Sequence, residues 1–219
     1  MSGASSSGVL ANLERVRDRI ASAGGDPDLV RILAVTKGHG IEAVRAARVA
    51  GLDDIGENYA QELSAKADEL DDPAARWHFI GQLQRNKVRQ IAHLVHLWQS
   101  VDRLRLGEEI SKRSPGAAVL VEVNLTDDPA RGGAHPGLVP GLVDGLRDLG
   151  LQVGGLMAVG STGAEHDVRG GFRAVRALAD DLDLPERSMG MSGDLELAVR
   201  EGSTMIRIGS ALFGPRLPR

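Results

Sequence analysis

The apolar positions of this chain follow two alternating patterns. Leu10, Leu13, Val16 and Ile20 recur at helical spacing among Glu14, Arg15, Arg17 and Asp18, which predicts an amphipathic opening helix from Leu10 to Ala23, ended by Gly24 and Gly25. After it, short and nearly all-apolar runs alternate with longer amphipathic ones. A strand covered on both faces reads as a continuous apolar run, which is how a parallel sheet with helices on its outer surface appears in sequence. The expected strands are Arg31 to Thr36, Asp54 to Glu57, Trp77 to Ile80, Leu94 to Gln99, Ala118 to Asn124, Val153 to Val159, Ser188 to Met191 and Met205 to Ile208. The first, fifth, sixth and eighth are the clearest. Helical patterns cover Ile41 to Ala50, Tyr59 to Leu70, Leu104 to Arg113, Leu138 to Leu149, Val168 to Leu182 and Leu195 to Glu201.

About eight such pairs predict an α/β fold, a single (β/α)8 TIM-type barrel with an additional N-terminal helix, in one domain over residues 1–219. An open doubly wound sheet shares the alternation but matches the unit count less well. Residues 1–8 are Ser-, Gly- and Ala-rich, lack the basic flank and apolar run of a secretory signal, and are expected to be a flexible lead-in.

Charge narrows the function classes. The formal net charge is −4 with both signs interspersed, which argues against a nucleic-acid groove or an anionic membrane surface and for a small soluble ligand. Every hydrophobic run is interrupted by charges before it could span a bilayer, so a cytoplasmic protein is expected. Cysteine is absent, which removes disulfides, thiol nucleophiles and thiolate metal sites.

In a parallel βα fold, ligands sit at the carboxyl ends of the strands, and there this chain places reactive residues repeatedly. Lys37 follows strand one, Glu57 and Asn58 strand two, Gly81 and Gln82 strand three, and Asp102 strand four. Asn124 ends strand five, Ser192 follows strand seven, and Arg207 precedes Gly209 and Ser210 at strand eight. A lysine held against a low-dielectric barrel interior has its ammonium form disfavoured and becomes an amine able to attack an aldehyde. The segments Ser188-Met-Gly-Met-Ser-Gly-Asp194 and Arg207-Ile-Gly-Ser-Ala-Leu-Phe-Gly214 put small-residue turns on loops seven and eight, the usual phosphate site of such a barrel.

Other features read as structure. His93 and His96 have ligand-like spacing but no third ligand nearby, so no metal site is expected. Gly160-Ser-Thr-Gly163 reads as an ordinary loop, and Trp77 and Phe79 as core or barrel wall.

Taken together, Ala34-Val-Thr-Lys37, Gly56-Glu-Asn-Tyr59, Trp77-His-Phe-Ile-Gly81, Gln84-Arg-Asn-Lys87, Gly155-Leu-Met-Ala158, Met189-Gly-Met-Ser192 and Gly202-Ser-Thr-Met-Ile-Arg-Ile-Gly209 resemble the pyridoxal phosphate homeostasis protein family, in the family's order. The resemblance implies a fold like the N-terminal barrel of alanine racemase, with pyridoxal 5′-phosphate held as an internal aldimine on Lys37. It also implies phosphate binding by Ser192, Gly209 and Ser210, Arg207 facing the pyridine nitrogen, and Asn58, His78 and Met157 lining the pocket. The chain departs from the family pattern at Gly38-His-Gly40, which predicts a mobile loop after the lysine, and at Arg131-Gly-Gly133, where the family tends to carry a lysine.

A guanidinium has no acceptor, so Arg207 suits an unprotonated pyridine nitrogen and a weak electron sink. The chain ends at Arg219 without a second domain to supply an opposing acid or base, and Tyr59 is its only tyrosine. The expected protein is a non-catalytic carrier with no catalytic residues, keeping free pyridoxal phosphate low, with pyridoxal phosphate-dependent apoenzymes as partners and a monomer or weak homodimer as its form. An amino-acid racemase on the same lysine, a cofactor-free aldolase acting on a phosphorylated sugar, and a regulatory module that only retains the barrel stay open as alternatives.

Overall fold

A computed structural model describes residues 5–126, 128, 131–160 and 165–215. Helix α1 (Ser6–Ser22) starts earlier than its periodicity suggested, because the Ser5 hydroxyl accepts from the Gly8 N–H at 3.2 Å and caps the first turn. The expected flexible lead-in over residues 1–8 is therefore corrected for residues 6–8, which are helical. The buried stripe is Val9, Leu13, Val16 and Ile20, with Val9 in place of the half-exposed Leu10.

After α1 the chain alternates as β1 (Arg31–Val35), α2 (Ile41–Val49), β2 (Asp54–Glu57), α3 (Ala60–Leu70), β3 (Arg76–Phe79), α4 (Arg85–Ile91), β4 (Val95–Val101) and α5 (Leu104–Arg113). It continues as β5 (Ala118–Val123), α6 (Val139–Asp148), β6 (Gln152–Ala158), α7 (Glu165–Asp181), β7 (Glu186–Met189), α8 (Leu195–Arg200), β8 (Met205–Ile208) and α9 (Ser210–Phe213). The strands pair in chain order as a parallel sheet, and β1 closes the barrel on β8 with Arg31 opposite Met205 and Ala34 opposite Ile208. This is the expected (β/α)8 architecture.

Two helices fall outside the helical patterns named from the sequence. In α4 only Val88 and Ile91 are buried, a stripe too short to show as a period, and α9 is a single turn after Gly209. Strand β7 ends at Met189, two residues before its expected end, because Gly190 takes a positive φ of 91° and turns the chain.

Alternation along the strands sorts side chains into two layers. Trp98, Phe79, Phe172 and Ile110 are fully buried between sheet and helices, and the Phe79 and Trp98 rings lie 6.2 Å apart. Trp77 and Phe79 are core, as read from sequence. The second layer fills the barrel with Leu33, Val35, Leu97, Leu120, Met157 and Met205. Asp54, His78, Gln99, Glu122, Ser188 and Arg207 are buried as well, and such groups require partners.

Candidate functional site

The carboxyl end of the barrel opens into a cavity of about 340 Å³ lined by Lys37, Asn58, Arg207, Gly209 and Ser210 together with Met191, Ser192 and Gly193. Strands β1 and β8 are hydrogen-bonded neighbours, so Lys37 just after β1 and Arg207 within β8 reach the same opening.

The chain after Lys37 is a hydrogen-bonded turn. The His39 N–H donates to the Thr36 carbonyl at 3.0 Å, and the Gly38 N–H donates to Glu62 Oε2 at 2.9 Å. Its second residue, His39, lines the cavity and tilts against Phe213 with ring centroids 5.5 Å apart. Sequence singled out His39 only as a departure from the family pattern.

Beneath this turn is a buried polar cluster. Lys66 Nζ donates to Glu57 Oε1 at 2.5 Å and to the Thr36 carbonyl at 2.8 Å, and the Thr36 hydroxyl donates to the same carboxylate oxygen at 2.6 Å. Burial pushes the Glu57 carboxyl above its ordinary range, against the pull of Lys66 and Thr36. The sequence reading placed Glu57 at the mouth, but it is fully buried below Lys37 and supports the end of β1 instead.

Arg207 is almost completely buried. Its Nη1 donates to the Ser188 carbonyl at 2.6 Å and to the Ser188 hydroxyl at 2.9 Å, and Nη2 donates to the Ala158 carbonyl at 2.7 Å. Burial pushes its pKa down to about 10, and the opposing charges of Glu122 and Asp194 pull it back up, so the guanidinium stays charged at neutral pH.

The other wall is the turn from Gly190 into α8. The Asp194 carboxylate accepts from the Met191 N–H at 2.5 Å, and the Ser192 hydroxyl accepts from the Ala211 N–H at 3.2 Å, tying loops seven and eight together. Arg19 of α1 reaches in from outside, donating to the Ser192 carbonyl at 3.0 Å and to Glu196 Oε1 at 2.5 Å.

Of the residues expected at the pocket, Lys37, Asn58, Ser192, Arg207, Gly209 and Ser210 share this cavity. His78 and Met157 are not brought to its wall and are corrected on that point. Both lie inside the barrel, Met157 in the interior apolar cluster with Val35 and His78 hydrogen-bonded to Asp54 and Gln99. The reason is register: β3 ends at Phe79, so the next inward position, Ile80, forms the wall instead of His78.

Asp102, Gln82 and Arg131 line a neighbouring cavity with Tyr59. Asn124 pins the following loop, donating to the carbonyls of Asp128 at 3.1 Å and Arg131 at 3.3 Å. That loop carries Gly132 over Glu122, a buried carboxyl that the sequence reading missed. Burial and the nearby Asp102 raise the Glu122 pKa to about 7, although Arg207 pulls against them. The Gly160–Gly163 loop lies outside the described residues except for Gly160. His93 sits in the turn after α4, and no group of three or more metal-ligating side chains occurs among the described residues.

Two observations fit the pocket to a small ligand. Asn58 Oδ1 is buried in the lining without a hydrogen-bond partner, as expected of an acceptor awaiting a ligand donor. Beside Ser192, a side chain built on Gly193 would meet nothing within 4 Å, so the small-residue cradle is open.

Comparison with known proteins agrees with this fold. The family model described as alanine racemase, N-terminal domain, matches residues 6–217. The pyridoxal phosphate homeostasis protein of Pseudomonas aeruginosa is 42% identical over 210 residues, covering 92% of this chain and 91% of that protein. That of Aquifex aeolicus is 38% identical, over 93% of this chain and 95% of the relative. The solved structure of PipY from Synechococcus elongatus with PLP bound superposes with a TM-score of 0.81 at 34% identity, covering 91% of this chain and 100% of that one. Alanine racemase from Clostridium difficile shares the fold at a TM-score of 0.73 and 14% identity, over 95% of this chain and 57% of the racemase.

Proposed function

Because the chain belongs to the pyridoxal phosphate homeostasis protein family, we propose that it binds pyridoxal 5′-phosphate at Lys37 and serves as a carrier of that cofactor with negligible turnover. The observation that carries this reading is the meeting of Lys37, Arg207 and the loop-seven and loop-eight turns in one cavity at the carboxyl end of the barrel.

Bound there, pyridoxal phosphate supplies an aldehyde that condenses with a primary amine. Lys37 offers that amine. Ser192, Gly209 and Ser210 hold the phosphate, with the Ser192 carbonyl braced by Arg19. Asn58 Oδ1, unpaired in the lining, would accept from a donor of the bound cofactor. Arg207 has only donors, so it is matched to an unprotonated ring nitrogen and withholds the strong electron sink that carbanion chemistry needs.

The protein groups also favour a carrier over a racemase. Tyr59 is half-exposed and lines the neighbouring cavity instead of the Lys37 pocket. No helix among the described residues is long and apolar enough to cross a membrane. Cytosolic residence, transfer to pyridoxal phosphate-dependent apoenzymes and a monomer or weak homodimer complete the proposal.

The test is the visible absorbance of the purified protein with added pyridoxal phosphate, for wild type and Lys37→Ala, followed by borohydride reduction and peptide mapping. A visible band in the wild type, with the reduced adduct on Lys37, supports the reading. Absence of both band and adduct overturns it.

A further inference from the structure

We infer that Asp54, His78, Gln99 and Ser188 form a one-way hydrogen-bond chain through the barrel that positions Arg207 at the cofactor pocket, an inference that rests on the reading of that pocket given above. The chain begins at Arg207 Nη1, which donates to Ser188 Oγ at 2.9 Å. Ser188 Oγ donates to Gln99 Oε1 at 2.7 Å, and Gln99 Nε2 lies 2.8 Å from His78 Nδ1. His78 Nε2 lies 2.9 Å from Asp54 Oδ1, and Arg76 closes the far end by donating to both Asp54 oxygens at 2.8 and 2.9 Å. Asp54 and Arg76 open strands β2 and β3, so the chain crosses from the amino-terminal face of the barrel to its mouth.

The direction of every bond is forced. Arg207 can only donate, so Ser188 accepts there and turns its own hydrogen to the Gln99 carbonyl oxygen. The Gln99 amide nitrogen then meets His78 Nδ1, which must be bare, and the imidazole hydrogen sits on Nε2 facing the carboxylate. Turning the Gln99 amide over would place that hydrogen on Nδ1 and leave a bare Nε2 against Asp54. An imidazolium, which donates from both nitrogens, would fit only the turned-over amide, but burial holds the His78 pKa below its ordinary value despite the Asp54 carboxylate. The chain is thus neutral in the middle and anchored by a cation and an anion at its ends, an arrangement in which successive bonds polarise one another.

Its effect falls on Arg207. Ser188 takes both Nη1 hydrogens and Ala158 one from Nη2, which among the described residues leaves Nε–H and one Nη2 hydrogen for a ligand. Loss of a link weakens or removes the Ser188 hydroxyl contact and leaves the guanidinium held by the Ser188 and Ala158 carbonyls alone, with more freedom to shift. Asp54, His78, Gln99 and Ser188 are positioning residues, since none of them lines the cavity.

The test uses Ser188→Ala, Gln99→Leu and His78→Leu, with Ser188→Thr and His78→Gln as rescue variants, because threonine keeps the hydroxyl and glutamine can accept from Gln99 while donating to Asp54. The first readout is nitrogen NMR of the protein without cofactor. His78 should be in the Nε2–H form at neutral pH, and the Arg207 Nε–H resonance should shift or broaden in the three disrupting variants and return in the rescues. The second is pyridoxal phosphate titration, where the disrupting variants should bind about 10-fold more weakly, move the pH midpoint of the visible band, and still form the Lys37 adduct. A His78 found as the imidazolium or the Nδ1–H tautomer at neutral pH, or an Arg207 signal indifferent to Gln99→Leu, overturns the inference, as does unchanged affinity and pH midpoint in variants whose thermal stability has merely fallen. Failure of the wild type to load cofactor, with the NMR outcome intact, would overturn the pocket reading alone and leave the chain as the device that orients Arg207.

Discussion

Lys66 and Glu57 form an ion pair of 2.5 Å inside the protein, directly under the strand end that carries Lys37. Glu57 Oε2 has no hydrogen-bond partner, so the cluster depends on the single oxygen shared by Lys66 and Thr36. Removing one member of such a pair strands a buried charge. Lys66→Met is expected to cost about 3 kcal/mol or more, with the double variant Lys66→Met/Glu57→Gln recovering part of that loss. Urea denaturation of the two variants checks this, and equal stability of the single and double variants would contradict it.

The turn after β3 leaves no room for a side chain. A methyl group built on Gly81 would overlap the backbone of Asn58, the residue whose Oδ1 is left unpaired in the pocket. Gly81→Ala is therefore expected to lower stability by roughly 1–3 kcal/mol, typical of overpacking, and to weaken cofactor loading by displacing Asn58. Thermal denaturation and pyridoxal phosphate titration measure the two effects. Loss of stability with unchanged loading would show that Asn58 is not part of the site.

The outer fold was legible because the signals were local. Continuous apolar runs mark β1, β5, β6 and β8, and the residues after strand ends pointed to Lys37 behind β1 and Ser192 behind β7. Helix α4 left only a weak periodic signal because two of its residues alone are buried, and the first turn of α1 was missed because Ser and Gly obscured the stripe beginning at Val9. The polar groups inside the barrel were harder. Gln99, beside Ser100 in Leu-Trp-Gln-Ser-Val, and Glu122, alone in Leu-Val-Glu-Val, are polar residues set among apolar strand positions, which was the available sign that they face an enclosed interior. Their partners lie on distant strands, so the pairing of Gln99 with Ser188 followed only from closure of the barrel.

Helix α1 also reaches the site. Arg19 holds the Ser192 carbonyl and Glu196 at once, from a partly exposed position. An ion pair of that exposure contributes at most about 1 kcal/mol to stability, so Arg19→Ala should change the unfolding midpoint little. It should nevertheless loosen the turn proposed to hold the phosphate and raise the dissociation constant for pyridoxal phosphate a few-fold. Binding of pyridoxal, which lacks the phosphate, should be unaffected by the same variant. Equal weakening for both ligands would show that Arg19 acts on the whole barrel and not on the turn.

Glu122 ties stability to pH in the neutral range. Its carboxyl is buried beside Asp102, and its pKa of about 7 compares with an ordinary value of 4.5. The folded protein therefore holds a proton between those values that the unfolded chain has already released, so stability falls as pH rises through that window, by up to about 3 kcal/mol. Glutamine in its place cannot ionise. Glu122→Gln should flatten this part of the stability profile and make the protein more stable than wild type above pH 7, while the two converge near pH 4. Chemical denaturation across pH 4 to pH 8 decides it: parallel profiles for the two proteins would mean that Glu122 is already ionised in the fold, with Arg207 outweighing its burial.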